Sequence, residues 1–216
     1  MWAGTVIVDG DDGDGAGVAE AQAQAEAWRR RHGPPDNEVP GVLGMSSVVT
    51  GDPDVVVVLA GVQVFGTGLQ LDVAVRRRLD PDPEQDHFGA TERALLLGVE
   101  LADGRSATTL AGPPTWDDDP EAPALVQHST SGGGRVYDLT CWLSPAPPPG
   151  DVVVVAAAPD WGLPERAVTI PAAALAEAAS RARVLWPREP DREWPFEEVP
   201  VPQVPPGGWF ARTLEG

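Results

Sequence analysis

The sequence predicts an all-β protein, a two-sheet sandwich of about seven strands resembling immunoglobulin-like topologies, with an N-terminal flanking helix and a C-terminal helix. Three observations carry this. Apolar residues recur at every second position in several runs, through residues 56–64, 69–75, 95–101 and 137–143. Turn-forming Gly, Pro and Asp punctuate those runs at short intervals, and helical spacing is confined to the two flanks.

At the N-terminus, DGDDGDGAG (Asp9 to Gly17) combines like-charge repulsion with glycine entropy, which predicts a disordered acidic arm over residues 1–17. Counted from Asp9 as a calcium loop, Glu20 falls at the twelfth position. The fifth position is then Gly13 and the sixth Asp14 where glycine is required, so ligand set and turn both fail. From Val18 to His32 the residues Val18, Ala21, Ala25 and Trp28 share helical spacing, Glu26 stands four residues before Arg30, and Arg29–Arg31 complement the carboxyl-end dipole. Gly33 and Pro34 end the helix, leaving residues 18–40 as helix and linker.

Alternation then takes over. Val56, Val58, Ala60, Val62 and Val64 form one set before Phe65-Gly66-Thr67-Gly68, and Leu69, Leu71, Val73 and Val75 form another after it, a hairpin with one packed face. A second hairpin runs through Leu95, Leu97, Val99 and Leu101, turns at Asp103-Gly104 as a type I′ pair, and returns over Ser106 to Leu110. Residues 112–134 are polar and interrupted by Pro and Gly, which predicts a long irregular connection of the functional or disordered kind. Strands resume at Arg135 to Leu143, with Tyr137, Leu139, Cys141 and Leu143 on the apolar face and Asp138, Thr140 and Trp142 on the other. Asp151 to Ala158 is apolar on both faces, as a central strand is, and Glu165 to Ile170 completes the set.

Pro171 opens a helix predicted to reach Trp186, with Leu175, Ala178, Ala182 and Leu185 on one face and a Glu177 to Arg181 pair on the other. Beyond Pro187 the prolines exclude helix and central strand alike. Residues 188–216 are therefore read as an extended proline-rich tail pinned to the body by Trp194, Phe196 or Trp209. The P-x-x-P spacing in Pro200 to Pro206 suits intramolecular docking, since no Arg flanks it closely. Residues 41–187 form the sandwich domain with its C-terminal helix.

HGPPDNEVPG (His32 to Gly41), VVLAGVQVFGTGLQLDVAVRRR (Val57 to Arg78), LLLGVELADGR (Leu95 to Arg105) and WLSPAPPPGDVVVVAAAPDWGLPE (Trp142 to Glu165) resemble an uncharacterised family of proteins from high-GC bacteria. The resemblance covers most of residues 25 to 187. It implies that Gly41 to Trp186 is one unit, and brings no activity, cofactor or catalytic residue.

Charge narrows the partners. With 33 acidic against 15 basic residues and a formal net charge of -18, the chain repels nucleic-acid phosphates and anionic lipid, so neither is an expected partner. The longest apolar runs fall far short of the roughly 20 residues that span a bilayer. No basic n-region precedes an apolar h-region at the amino terminus, and Cys141 alone allows no intramolecular disulfide, so the expected compartment is cytoplasmic.

No G-x-S-x-G elbow, Walker loop, dinucleotide fingerprint or H-E-x-x-H helix occurs, and the glycines of Ser131–Gly134 lack the Lys and helix start of a phosphate loop. His32, His87 and His128 are too far apart for a zinc pair. The leading expectation is a non-catalytic binding or interaction module, with another protein as its partner and no cofactor. Ligand-binding candidates are Trp142, Trp116 and Asp138, since indole faces bind sugars, prolines and cations. The alternatives are a carbohydrate-binding module through exposed Trp, and a metal-assisted hydrolase using the acidic loops, with Asp80, Asp82, Asp86, His87, Asp117, Asp118 and Asp119 as oxygen or nitrogen ligands if both loops share one end of the sandwich.

Overall fold

The computed structural model describes residues 15–80 and 94–188. The acidic arm up to Asp14, the loop residues Asp82, Asp86 and His87, and the proline-rich tail from residue 189 lie outside the described residues.

Two antiparallel sheets enclose one apolar core. The larger has six strands: β2 (Gly41–Leu43), β4 (Val55–Phe65), β5 (Gly68–Arg77), β9 (Val136–Ser144) and β8 (Ala124–Gly133) in that order, with β3 (Ser47–Gly51) beside β2 along β4. In the smaller, β11 (Leu163–Ile170), β10 (Val152–Ala158), β6 (Leu96–Glu100) and β7 (Ser106–Thr108) follow one another. The sheets meet at both margins, where the Thr50 hydroxyl of β3 donates to Pro164 O of β11 at 2.8 Å and β7 lies against β8. Between them Leu59, Leu71, Cys141, Val154 and Ile170 are sealed from solvent. A small ladder pairs β1 (Glu38–Val39) with β12 (Arg183–Val184).

Sequence alternation locates most strands, and the departures have local causes. In β4 the buried residues are Val57 and Leu59, then Val62, Val64 and Phe65. The ladder with β5 slips between Leu59 and Gly61, so Ala60 is the extra residue of a β-bulge that swaps the faces. The predicted set Val56, Val58 and Ala60 therefore points outward. The second hairpin turns differently from the type I′ expectation. Leu101 and Arg105 close it, Gly104 N–H donates to Leu101 O at 2.9 Å, and Gly104 stands at φ 83°, a three-residue loop made of a turn and a glycine bulge.

The connection read as irregular over 112–134 contains β8, ten residues paired along β9. It escaped the alternation test because it is an outer strand: after Leu125 and Val126 its residues are polar or Gly on both faces, and the ladder with β9 holds them. The C-terminal helix, α2 (Ala172–Ala179), is shorter than predicted. Asp151 caps it by accepting from Ala172 N–H at 2.8 Å, the Ser180 hydroxyl donates back to Glu177 O at 2.7 Å, and the chain turns out to form β12. Gly41 lets α2 approach β2 so closely that a Cβ there would strike Ala178 O.

The N-terminal helix, α1 (Gly15–His32), begins ahead of Val18 and rests its last turns on β8 and β9. A helix end leaves carbonyls without intrahelical donors. Here the Trp142 indole N–H donates to Arg30 O at 2.8 Å and the Ser144 hydroxyl to Arg31 O at 3.1 Å, so the sheet itself caps the helix.

Candidate functional site

The segment between β7 and β8 is tied down along its length. Thr108 and Thr109 hydroxyls donate to Leu97 O at 3.0 and 3.3 Å, and Gly112 leaves the sheet at φ 75°. Pro114 O lies 3.1 Å from His32 Nε2, whose other ring nitrogen lies 2.8 Å from Trp28 O. Asp118 accepts from Thr115 N–H at 2.6 Å, and Asp119 from Glu121 N–H at 2.9 Å. That Thr115 N–H, helped by the Arg31 charge, holds the Asp118 carboxyl below its ordinary value although burial opposes it. Arg31 itself, 9% exposed, donates to the carbonyls of Asp119 and Ala122, and Arg105 reaches Glu121 O at 2.8 Å.

Held this way, the segment overhangs the smaller sheet and leaves a groove of about 590 Å³. Gly98 and Val155 belong to its wall, Ala107 and Thr108 of β7 line one side, and Pro113, Pro114 and Pro123 line the other. Its charged members are Glu100, Asp118, Asp119 and Glu165 against Arg31. Four carboxylates thus share the lining with one guanidinium, whose two terminal nitrogens donate to backbone carbonyls while its buried Nε finds no partner among the described residues. The groove combines apolar contact with an excess of negative charge, which suits a cation carried on an apolar or extended body.

Beside the groove stands a three-ring stack. Trp116 lies on Trp28 at 4.1 Å between centroids and 16° between planes, and Trp28 on His32 at 3.9 Å and 29°. Trp116 remains 64% exposed, so part of its ring is open to a ligand.

The other expected ligand residues do not join it. Trp142 does alternate with Asp138 and Thr140, but α1 covers that end of the sheet and the indole is 0% exposed, so this ligand candidate packs beneath another element and caps α1, where the C-terminal helix or tail was the expected cover. Asp138 sits further along β9, in a half-exposed ion pair with Arg76 at 2.8 Å. Nearby, Asp72 accepts from Gln63, Gln70 and Thr140 at 3.0–3.4 Å, which completes a polar outer face.

Asp80 and the Asp117–Asp119 loop separate as well. Asp80 pairs with Arg135 at 3.2 Å, next to the Gly134 turn that follows β8, whereas Asp117–Asp119 precede β8. Ten strand residues span roughly 33 Å, so these carboxylates cannot share an ion. Among the described residues, no group of three His, Cys, Asp or Glu side chains is placed to hold a metal. No described helix is long and apolar enough to cross a membrane.

Glu100, Glu165 and Arg31 were not singled out from the sequence. Glu100 was readable, because it continues the outward phase of Leu96 and Gly98 opposite Leu97 and Val99. Glu165 comes from a strand more than 60 residues away in the chain, and only the sheet order unites the two. No family model, curated protein or solved structure matches this chain.

Proposed function

We propose that this protein is a non-catalytic interaction module that takes a basic segment of a partner protein into the groove between the smaller sheet and residues 111–123. The observation that carries the reading is the gathering of Glu100, Asp118, Asp119 and Glu165 in the lining of one concavity beside apolar residues. A net charge of -18 adds a field that draws cationic partners in and repels anionic ones. Trp116 supplies an aromatic face beside the carboxylates, the pairing that recognises guanidinium and ammonium groups. Presentation of loops around a stacked pair of sheets, the immunoglobulin-like element of the reading, suits the same role.

Fluorescence anisotropy with a labelled octapeptide of alternating Arg and Ser tests this. The Arg peptide binds, its affinity falls as salt rises, and its counterpart with Glu for Arg does not bind. Replacing Glu100 and Glu165 by Gln weakens binding by about tenfold, the sum of two modest charge contacts. Glu20→Gln with Glu177→Gln, both exposed and outside the groove lining, leaves binding unchanged and controls for overall charge. Equal loss in both variants, or no binding of the Arg peptide, would discard the groove as the site.

A further inference from the structure

A second concavity, of different chemistry, lies between the β4–β5 turn, the proline loop after β9, and α2. It holds about 560 Å³ and is walled by Phe65, Leu69, Pro147, Pro149 and Leu175 together with alanines of α2. No described residue lining it carries a polar side chain. In a chain that is 22% charged, so large a concavity without a polar side chain among the described residues is a site that excludes water when filled.

We propose that its occupant is the chain's own segment Val199–Pro206, VPVPQVPP. This stretch matches the groove in chemistry: Gln203 is its one polar side chain and it carries no charge, while Glu197 and Glu198 stand just ahead of it. Alternating prolines favour the polyproline II conformation, which lays a preformed apolar ridge into grooves lined by aromatic and proline rings.

The path also fits. Arg188, the last described residue, is fixed by ion pairs to Glu26 at 2.9 Å and Asp36 at 3.3 Å. Glu26 is bound in turn by Arg30 at 3.0 Å, and Arg30 lines a 320 Å³ hollow together with Gly66 and Ala146. Gly66 and Ala146 belong to the apolar groove as well. The tail therefore starts one small hollow away from the groove. Eleven residues from Arg188 to Val199 reach up to about 36 Å when extended, ample to cross it. Tethering gives the segment an effective local concentration near the millimolar range, so modest affinity suffices to keep the groove filled.

The full-length protein tests this with a labelled peptide of sequence VPVPQVPP. Val201→Asp with Val204→Asp expels the chain's own segment, and the peptide then binds this variant at least about tenfold more tightly than the unaltered protein. Adding Ala176→Arg, on the exposed groove side of α2, removes that binding while leaving a good helix former in place. The proposal is overturned if the peptide fails to bind the tail variant, binds it and the unaltered protein equally, or ignores Ala176→Arg. Sedimentation supplies the remaining arm: a monomer is expected, and a dimer that the two tail substitutions dissociate would assign the groove to a second copy instead.

Discussion

Cys141 shares the inner face of β9 with Leu139 and Leu143, and all three are almost wholly enclosed. Burial, with the Asp72 carboxylate behind it, pushes the thiol up to about 12, so the nucleophilic thiolate is scarce at neutral pH. A mild disulfide reagent is expected to label Cys141 far more slowly in the native protein than in denaturant. The same shift fixes an alkaline dependence. An unfolded thiol ionises near pH 8.5 while the folded one does not, so its contribution to stability is complete below that pH and is lost as pH rises toward 12. Cys141→Ala should fold with a loss of about 1–2 kcal/mol and show a flatter stability curve above pH 9. Native labelling as fast as in denaturant would place the thiol at an accessible site and reopen a catalytic role. At this scale the sequence was legible where one strand decided the outcome. Alternation puts Cys141 inside, but it could not tell that α1 would cover Trp142, because residues 112 positions apart make that contact.

Close approach between elements rests on a few glycines. Gly68 ends the β4–β5 turn where an added Cβ would lie 2.3 Å from Leu143 O and 2.6 Å from the Trp142 ring, whereas one on Gly104 would meet nothing within 4 Å and suffer only its φ of 83°. Gly104→Ala is therefore expected to cost about 1 kcal/mol, the left-handed penalty of a side chain. Gly68→Ala should cost about 3 kcal/mol, since backbone and a buried ring must both move. Urea unfolding of the pair measures the difference, and equal losses would contradict the packing of Trp142 against the turn. Elements were legible from sequence to the extent that a buried face marks them. β5 and β10 announce themselves. β4 hides its bulge, because Val56 and Val58 are as apolar as the residues that replace them inside. β8 is nearly invisible, since its HSTSGG end is held by ladder bonds rather than by burial. The candidate groove inherits that blindness: its segment is bounded by β8, and its acids gather from β6, β11 and a loop.

Across the whole molecule, charge sets a balance between two opposing dependences on pH. The -18 formal charge repels itself more in the compact state than in the unfolded chain, and this penalty fades as pH falls toward the isoelectric point near 4.3. Against it stand carboxyls held below their ordinary values: Glu26, where burial pulls upward but the Arg30, Arg188 and Arg29 guanidiniums prevail, Asp52 through the Val55 and Asp54 N–H groups, Asp103 through Arg105 N–H, and Asp118 through Thr115 N–H. A depressed carboxyl stabilises the fold fully above the unfolded value of about 4 and loses that contribution as pH falls through its lower folded value. Between pH 7.5 and about 5 the repulsion term thus changes while these carboxylate contacts stay intact, and below about pH 4 they fail. The unfolding midpoint is therefore expected to rise as pH is lowered from 7.5 to 5, and to drop below pH 4. Sodium chloride separates the terms, because raising it from 0.1 to 1 M shortens the screening length from about 10 to about 3 Å. At pH 7.5 added salt should raise the midpoint by several degrees, each kcal/mol of relieved repulsion being worth about 2–4 °C in a chain of this size. At pH 4.5, where little net charge remains, the same salt should change it little. A midpoint at pH 7.5 that ignores salt would mean that repulsion does not limit this fold, and would remove the field invoked to draw a basic partner to the groove.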